Sequence, residues 1–153
     1  METKTKIKEE LENLCRKADQ TRSIHNMMKD RVVFINQFFL LYVAIGSAIS
    51  AMLIFSSIPS NCHMWVGIFM ASVFIASIIP STLNFNLKIL EKTLAIQTWG
   101  EWIRDTKYFC NVEISQIDSN SVELKQKEFV TSYKKIMDNT PLIPDKKFNK
   151  YIL

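Results

Sequence analysis

VVFINQFFLLYVAIGSAISAMLIFSSIPSNCHMWVGIFMASVFIASIIPSTLNFNL, residues 32–87, runs for 56 residues without a Lys, Arg, Asp or Glu. With 22% of the chain charged, chance would leave such a gap about once in a million, and ordinary globular chains are no poorer in charge. The run is broken once, at Ser56-Ser57-Ile58-Pro59-Ser60-Asn61, where Pro and small polar residues signal a tight turn. Two apolar segments result, about 32–55 and 64–85, separated by an outer turn at 56–63. Each exceeds the ~20 residues a helix needs to cross about 30 Å of hydrocarbon. The expectation is an all-α membrane protein built on a two-transmembrane helical hairpin.

The two spans differ in strength. Fourteen Val, Ile, Leu or Phe residues lie in the first, and at about −0.4 kcal/mol each near the bilayer centre they outweigh Asn36 and Gln37. The second has ten and carries Gly67, Ser72, Ser77, Pro80, Ser81, Thr82 and Asn84, so it is expected to lean on the first span or on other copies. A soluble bundle would have to cover both helices on every face, and the remaining arms are too polar to do so.

Working outward, residues 1–31 carry eight bases and six acids, and residues 88–153 eleven bases and nine acids; the turn carries none. Each arm is therefore +2, together the chain's +4, and an excess of Lys and Arg marks the cytoplasmic side. Both termini are expected in the cytoplasm, with the turn outside and the protein in the cell inner membrane. Lys29, Arg31, Lys88 and Lys92 flank the spans at headgroup level. The charge thus reads as topology, with the lipid bilayer as partner and no direct nucleic acid. The first apolar run follows a charged arm and is too long for a signal core, so it is expected to stay in the mature chain.

In the 1–31 arm, Ile7, Leu11, Leu14, Ala18, Thr21, His25 and Met28 recur at alternating steps of four and three, which predicts a cytoplasmic amphipathic helix. The stripe runs in phase to Val32 and Ile35, so arm and first span are expected to form one helix. Its narrow face calls for a partner helix, within this chain or a neighbouring copy. From Leu87 the helical pattern continues through Leu90, Leu94, Ile96, Trp99 and Ile103. A last helix is expected from about Ser121 to Asp138, opened by an Asn120/Glu123 capping box, with an extended tail beyond Pro141. Residues 88–153 are therefore read as C-terminal cytoplasmic helices and tail.

Within the spans, Gly46-x-x-x-Ser50 and Gly67-x-x-x-Ala71 have the spacing that lets helices approach closely in lipid, making Gly46, Gly67 and Ala71 helix-packing candidates. Ser77, Ser81 and Asn84 fall on one face of the second span, and Asn36, Ser47 and Ser50 share a face of the first. These six are the pore-lining candidates. Pro80 removes the donor to the Ala76 carbonyl and is the hinge candidate. Leu11, Leu14, Leu94, Trp99, Trp102, Phe129 and Tyr133 are the oligomerisation candidates.

Catalytic chemistry has no visible carrier. The chain has three Gly, too few for a phosphate-cradling loop, and no HxxxH, GxSxG or paired acidic motif. No enzyme, cofactor or metal is expected; Cys62-His63 offers two ligands where a closed zinc site needs four. Three cysteines without a CxxC pair do not make a disulfide framework.

Taken together, the charged helical arm, the tight two-span hairpin, the helix continuing from the second span, and a C-terminal helix ending in Tyr133-x-x-Ile136 then Pro141-x-Ile143-Pro144 resemble the SLATT family. These are two-transmembrane effectors associated with nucleotidyltransferases and nucleotide sensors in prokaryotic conflict systems. The resemblance implies a homo-oligomeric membrane effector of anti-phage defence, acting by abortive infection through a pore that opens when a partner is triggered. That partner would be a nucleotidyltransferase, a reverse transcriptase or a nucleotide sensor encoded nearby. The other readings are a non-conducting membrane-anchored scaffold for a soluble partner and a holin-like lysis protein.

Overall fold

The computed structural model describes residues 2–56, 59 and 62–141, and among them every regular element is helical. Helix α1 spans Glu2–Phe55, α2 His63–Thr82, α3 Phe85–Tyr108 and α4 Ser119–Asn139; a π-helical turn, Phe109–Glu113, follows α3. The helices divide into two compact units. One comprises the described residues up to Met28 together with those from Glu91 onward, and the other is Lys29–Leu90.

Helix α1 is unbroken for 54 residues, as expected of a sequence with neither Pro nor Gly before Gly46. In the first unit its stripe is the buried face. Ile7, Leu11, Cys15, Ala18, Ile24 and His25 are buried, and Leu14 packs against the core from its edge. One cluster joins Ile7 and Leu11 to Phe109, Cys110, Ile114 and Val122; a second joins Cys15 and Ala18 to Trp99, Trp102 and Ile103. Aromatic edges bind the second together: Tyr133 lies 5.3 Å from both Trp99 and Trp102, and Trp102 Nε1 donates to the Phe129 carbonyl at 3.2 Å. The π turn, closed by the Ile114 N–H to the Phe109 carbonyl at 3.0 Å, adds a residue to the helical repeat. Phe109, Cys110 and Ile114 all stay buried across it.

Helix α4 begins earlier than its sequence suggests. Its N-cap is Asp118, whose carboxylate accepts from the Ser121 N–H at 3.1 Å and from the Ser121 hydroxyl at 2.6 Å. Asn120 and Glu123 lie inside the helix and form no capping box; Asp118 and Asn120 are equally good cap types, and the Ser121 N–H bonded to Asp118 fixes the cap there. Those bonds hold the Asp118 carboxyl below its usual range. The expected extended tail, with Ile143 and Pro144, lies outside the described residues.

Helix α2 does not pass directly into α3. Pro80 stands within α2, which continues to Thr82; the interruption is at Leu83 and Asn84. Asn84 has φ 50°, the one positive-φ non-glycine among the described residues.

Candidate functional site

The Lys29–Leu90 unit carries the apolar surface. Two helical stretches that run through it, Glu2–Phe55 and His63–Glu113, are long and apolar enough to cross a membrane, yet only 6% of the apolar window in the first and 11% of that in the second are buried by the chain itself. The core helix of a soluble protein would be mostly covered. Phe34, Phe38, Leu41, Ile45, Met52 and Phe55 on α1, and Trp65, Ile68, Phe74 and Ile75 on α2, stand exposed instead. So much apolar surface in one band marks a face that meets lipid or another protein.

Three contacts tie the helices of this unit together. The Tyr42 and Ser72 hydroxyls lie 2.8 Å apart, Phe39 and Phe85 rings are 6.4 Å apart, and Gly46 faces Val73 so closely that a Cβ there would sit 2.5 Å from a Val73 methyl. Gly46 is therefore a packing glycine, and β-branched Val73 cannot turn its methyls away. Gly67 has nothing within 4 Å of where its Cβ would stand, and Ala71 is exposed. The second small-residue motif does not join α2 to α1, because it lies on the face of α2 turned away from Val73 and Ala76, the buried positions of that helix.

The polar candidates divide similarly. Ser77, Ser81 and Asn84 are all exposed along α2 and its end, and the Ser77 hydroxyl donates to the Phe74 carbonyl of its own helix at 2.6 Å. On α1, Ser47 is exposed, Asn36 half-buried, and the Ser50 hydroxyl is buried with no hydrogen-bond partner. Asn84 does more than add polarity: it is the left-handed residue at the helix break. Pro80, half-buried, lies within α2 just before that break.

The residues expected to join copies belong mostly to the chain's own core. Leu11 and Trp99 are fully buried, Trp102 nearly so, and Leu14, Phe129 and Tyr133 pack against them. Of the seven, only Leu94 is exposed. An apolar stripe states that a helix needs a partner, and here α3 and α4 of the same chain supply it.

The stripe places His25 in this core, but does not give the state of its nitrogens. His25 is fully buried with neither ring nitrogen hydrogen-bonded, and Trp99 Nε1 is likewise buried without a partner. Burial, with the Lys92 ammonium as a second cause, lowers the His25 pKa to about 4. The cavity beside Cys15 and Cys110, about 390 Å³, is lined by Glu12, Arg16, Asp19, Lys107 and Asn111 as well. Burial raises the Cys15 thiol to about 11 and pushes Cys110 upward too, which keeps both protonated and unreactive. Among the described residues no group of three or more His, Cys, Asp or Glu could hold a metal. Compared with protein-family models, curated proteins and solved structures, the chain finds no match.

Proposed function

We propose that this chain is a homo-oligomeric membrane effector whose α1 and α2 form a two-span hairpin, with both termini on the cytoplasmic side of the inner membrane. The observation that carries the reading is the band of exposed apolar side chains on two spanning-length helices, 6% and 11% buried in their apolar windows. The pairings support the hairpin: Gly46 and Tyr42 of α1 meet Val73 and Ser72 of α2, whereas Phe39, earlier in α1, meets Phe85, later in the chain, as antiparallel helices require. The equal +2 charges of the two arms support the orientation.

The pore is the next step. Ser77 and Ser81 are exposed on one chain, and polar groups in a span are stabilised by facing protein or water instead of lipid. An assembly that turns this line inward gives a polar path. The resemblance to the SLATT family supplies the setting, in which a nucleotide-signalling or sensor partner triggers opening and the membrane is disrupted. Opening then requires that the partner bind one state better than the other.

Purified chain in liposomes loaded with a self-quenching dye or potassium tests this reading. Leak from wild type, with Ser77→Leu and Ser81→Leu together reducing it tenfold or more at equal incorporation, is the expected result. Undiminished leak from the double variant would remove these residues from the pore. Incorporation without any leak, alone or with its partner, would favour a non-conducting scaffold.

A further inference from the structure

The break between α2 and α3 is made with unusual economy. It occupies Leu83 and Asn84 alone: the Leu83 N–H donates to Ile79 at 2.9 Å in helical register, the Asn84 N–H to Ser81 at 3.1 Å in a tighter turn, and the Lys88 N–H to Asn84 at 3.1 Å. No Pro or Gly occurs from Ser81 to Trp99, so nothing covalent forbids one helix through this point. What holds the chain out of register is the backbone of Asn84, at φ 50°. Asn is the residue type other than Gly that most readily adopts this left-handed conformation, and it is also compatible with a right-handed helix.

The broken form has two other marks. The first N–H groups of a helix have no carbonyl of their own helix to bond. For α3 these are the amides of residues 85–87; in a continuous helix they would donate to the carbonyls of Ser81, Thr82 and Leu83. Phe85, immediately after the break, is buried with its ring 6.4 Å from that of Phe39 on α1, which pins the broken form. Three gained hydrogen bonds and relief of a left-handed residue thus stand against one aromatic contact.

We infer that Leu83–Asn84 is a two-state helix switch, in which Asn84 passes from the left-handed to the right-handed conformation, α2 and α3 become one helix, and this movement opens the membrane assembly. The second half rests on the proposed pore function; the first does not. Pro80, which leaves the Ala76 carbonyl without its helical donor, weakens the turn just before the switch and is an accessory to it.

The test uses the full chain in lipid nanodiscs and reads backbone amide exchange at Phe85, Asn86 and Leu87 in wild type, Asn84→Ala and Asn84→Gly. Ala disfavours the left-handed conformation and Gly accepts it. Asn84→Ala should slow exchange at these three amides at least tenfold, while Asn84→Gly leaves it unchanged or faster. Slow amides around Leu11 and Trp99 report that each variant is folded. Equal exchange in wild type and folded Asn84→Ala overturns the switch, as does equal slowing by Gly. In cells, Asn84→Ala should depolarise the membrane at lower expression than wild type, with Asn84→Gly at or above the wild-type threshold. Slowed exchange without a lowered threshold, in cells that wild type depolarises, overturns the gating role. If neither wild type nor any variant depolarises while the exchange pattern holds, the pore reading fails and takes the gating role with it.

Discussion

His25 is a polar side chain held where nothing bonds it. Because its pKa is lowered to about 4 from an ordinary 6.5, the folded chain prefers the neutral ring. The stability this confers is fully present above pH 6.5 and is lost as pH falls from there towards 4, up to about 3 kcal/mol. Denaturant midpoints in detergent at pH 7.5 and 4.5 should show that loss in wild type and a much flatter profile in His25→Leu. Since the substitution also removes two orphaned nitrogens, it should cost little at pH 7.5. The two span glycines give a second contrast. Gly46→Leu should destabilise the chain by about 1–3 kcal/mol through overpacking against Val73. Gly67→Ala, with open space around it, should be neutral or gain up to ~1 kcal/mol in helix propensity. Thermal melts of the two variants check this, and a matching loss at both would contradict the packing described. Neither distinction is visible in sequence, where the two glycines carry the same small-xxx-small spacing and His25 is one more member of a stripe.

At the level of elements, the chain was most legible where period and punctuation agree. The four-and-three stripe of the arm continues into the first apolar run without a breaker, and α1 is one helix from Glu2 to Phe55. The apolar stretch itself announces two helices, because a charge-free run interrupted by Pro and Ser admits few other forms. Less legible were the joints. An Asn in left-handed conformation leaves no pattern, so the break at Leu83–Asn84 has no sequence signal beside Pro80, the hinge candidate, which stands inside α2. The α4 cap was misplaced because Asp118, Asn120 and Ser121 are all capping types, and only geometry selects Asp118. Replacing Asp118 with Ala should fray the first turn of α4, read as faster amide exchange at Ser121 and Val122, whereas Asp118→Asn should retain most of the protection. Equal exchange in the Ala variant would contradict the cap. The candidate interface residues show a further limit of pattern: Trp99, Trp102 and Tyr133 state a need for burial without saying which chain provides it, and α1, α3 and α4 of this chain cover them.

For the whole molecule the partition of charge is the organising fact. Nineteen bases and fifteen acids lie outside a stretch that has none, and the structure leaves that stretch exposed on both helices. The three cysteines offer a topology assay. Cys62 is exposed at the start of α2, whereas Cys15 and Cys110 are buried. A membrane-impermeant maleimide applied to intact cells should modify Cys62 and spare the other two; labelling of Cys62 only after lysis would reverse the proposed orientation. The pore claim is tested most directly by membrane potential, followed with a voltage-sensitive dye in bacterial cells expressing this chain alone and then with the proteins encoded beside it. The account predicts depolarisation, either at once or on challenge of the complete system. An abundant, membrane-inserted chain that never depolarises the cell in either setting would contradict it.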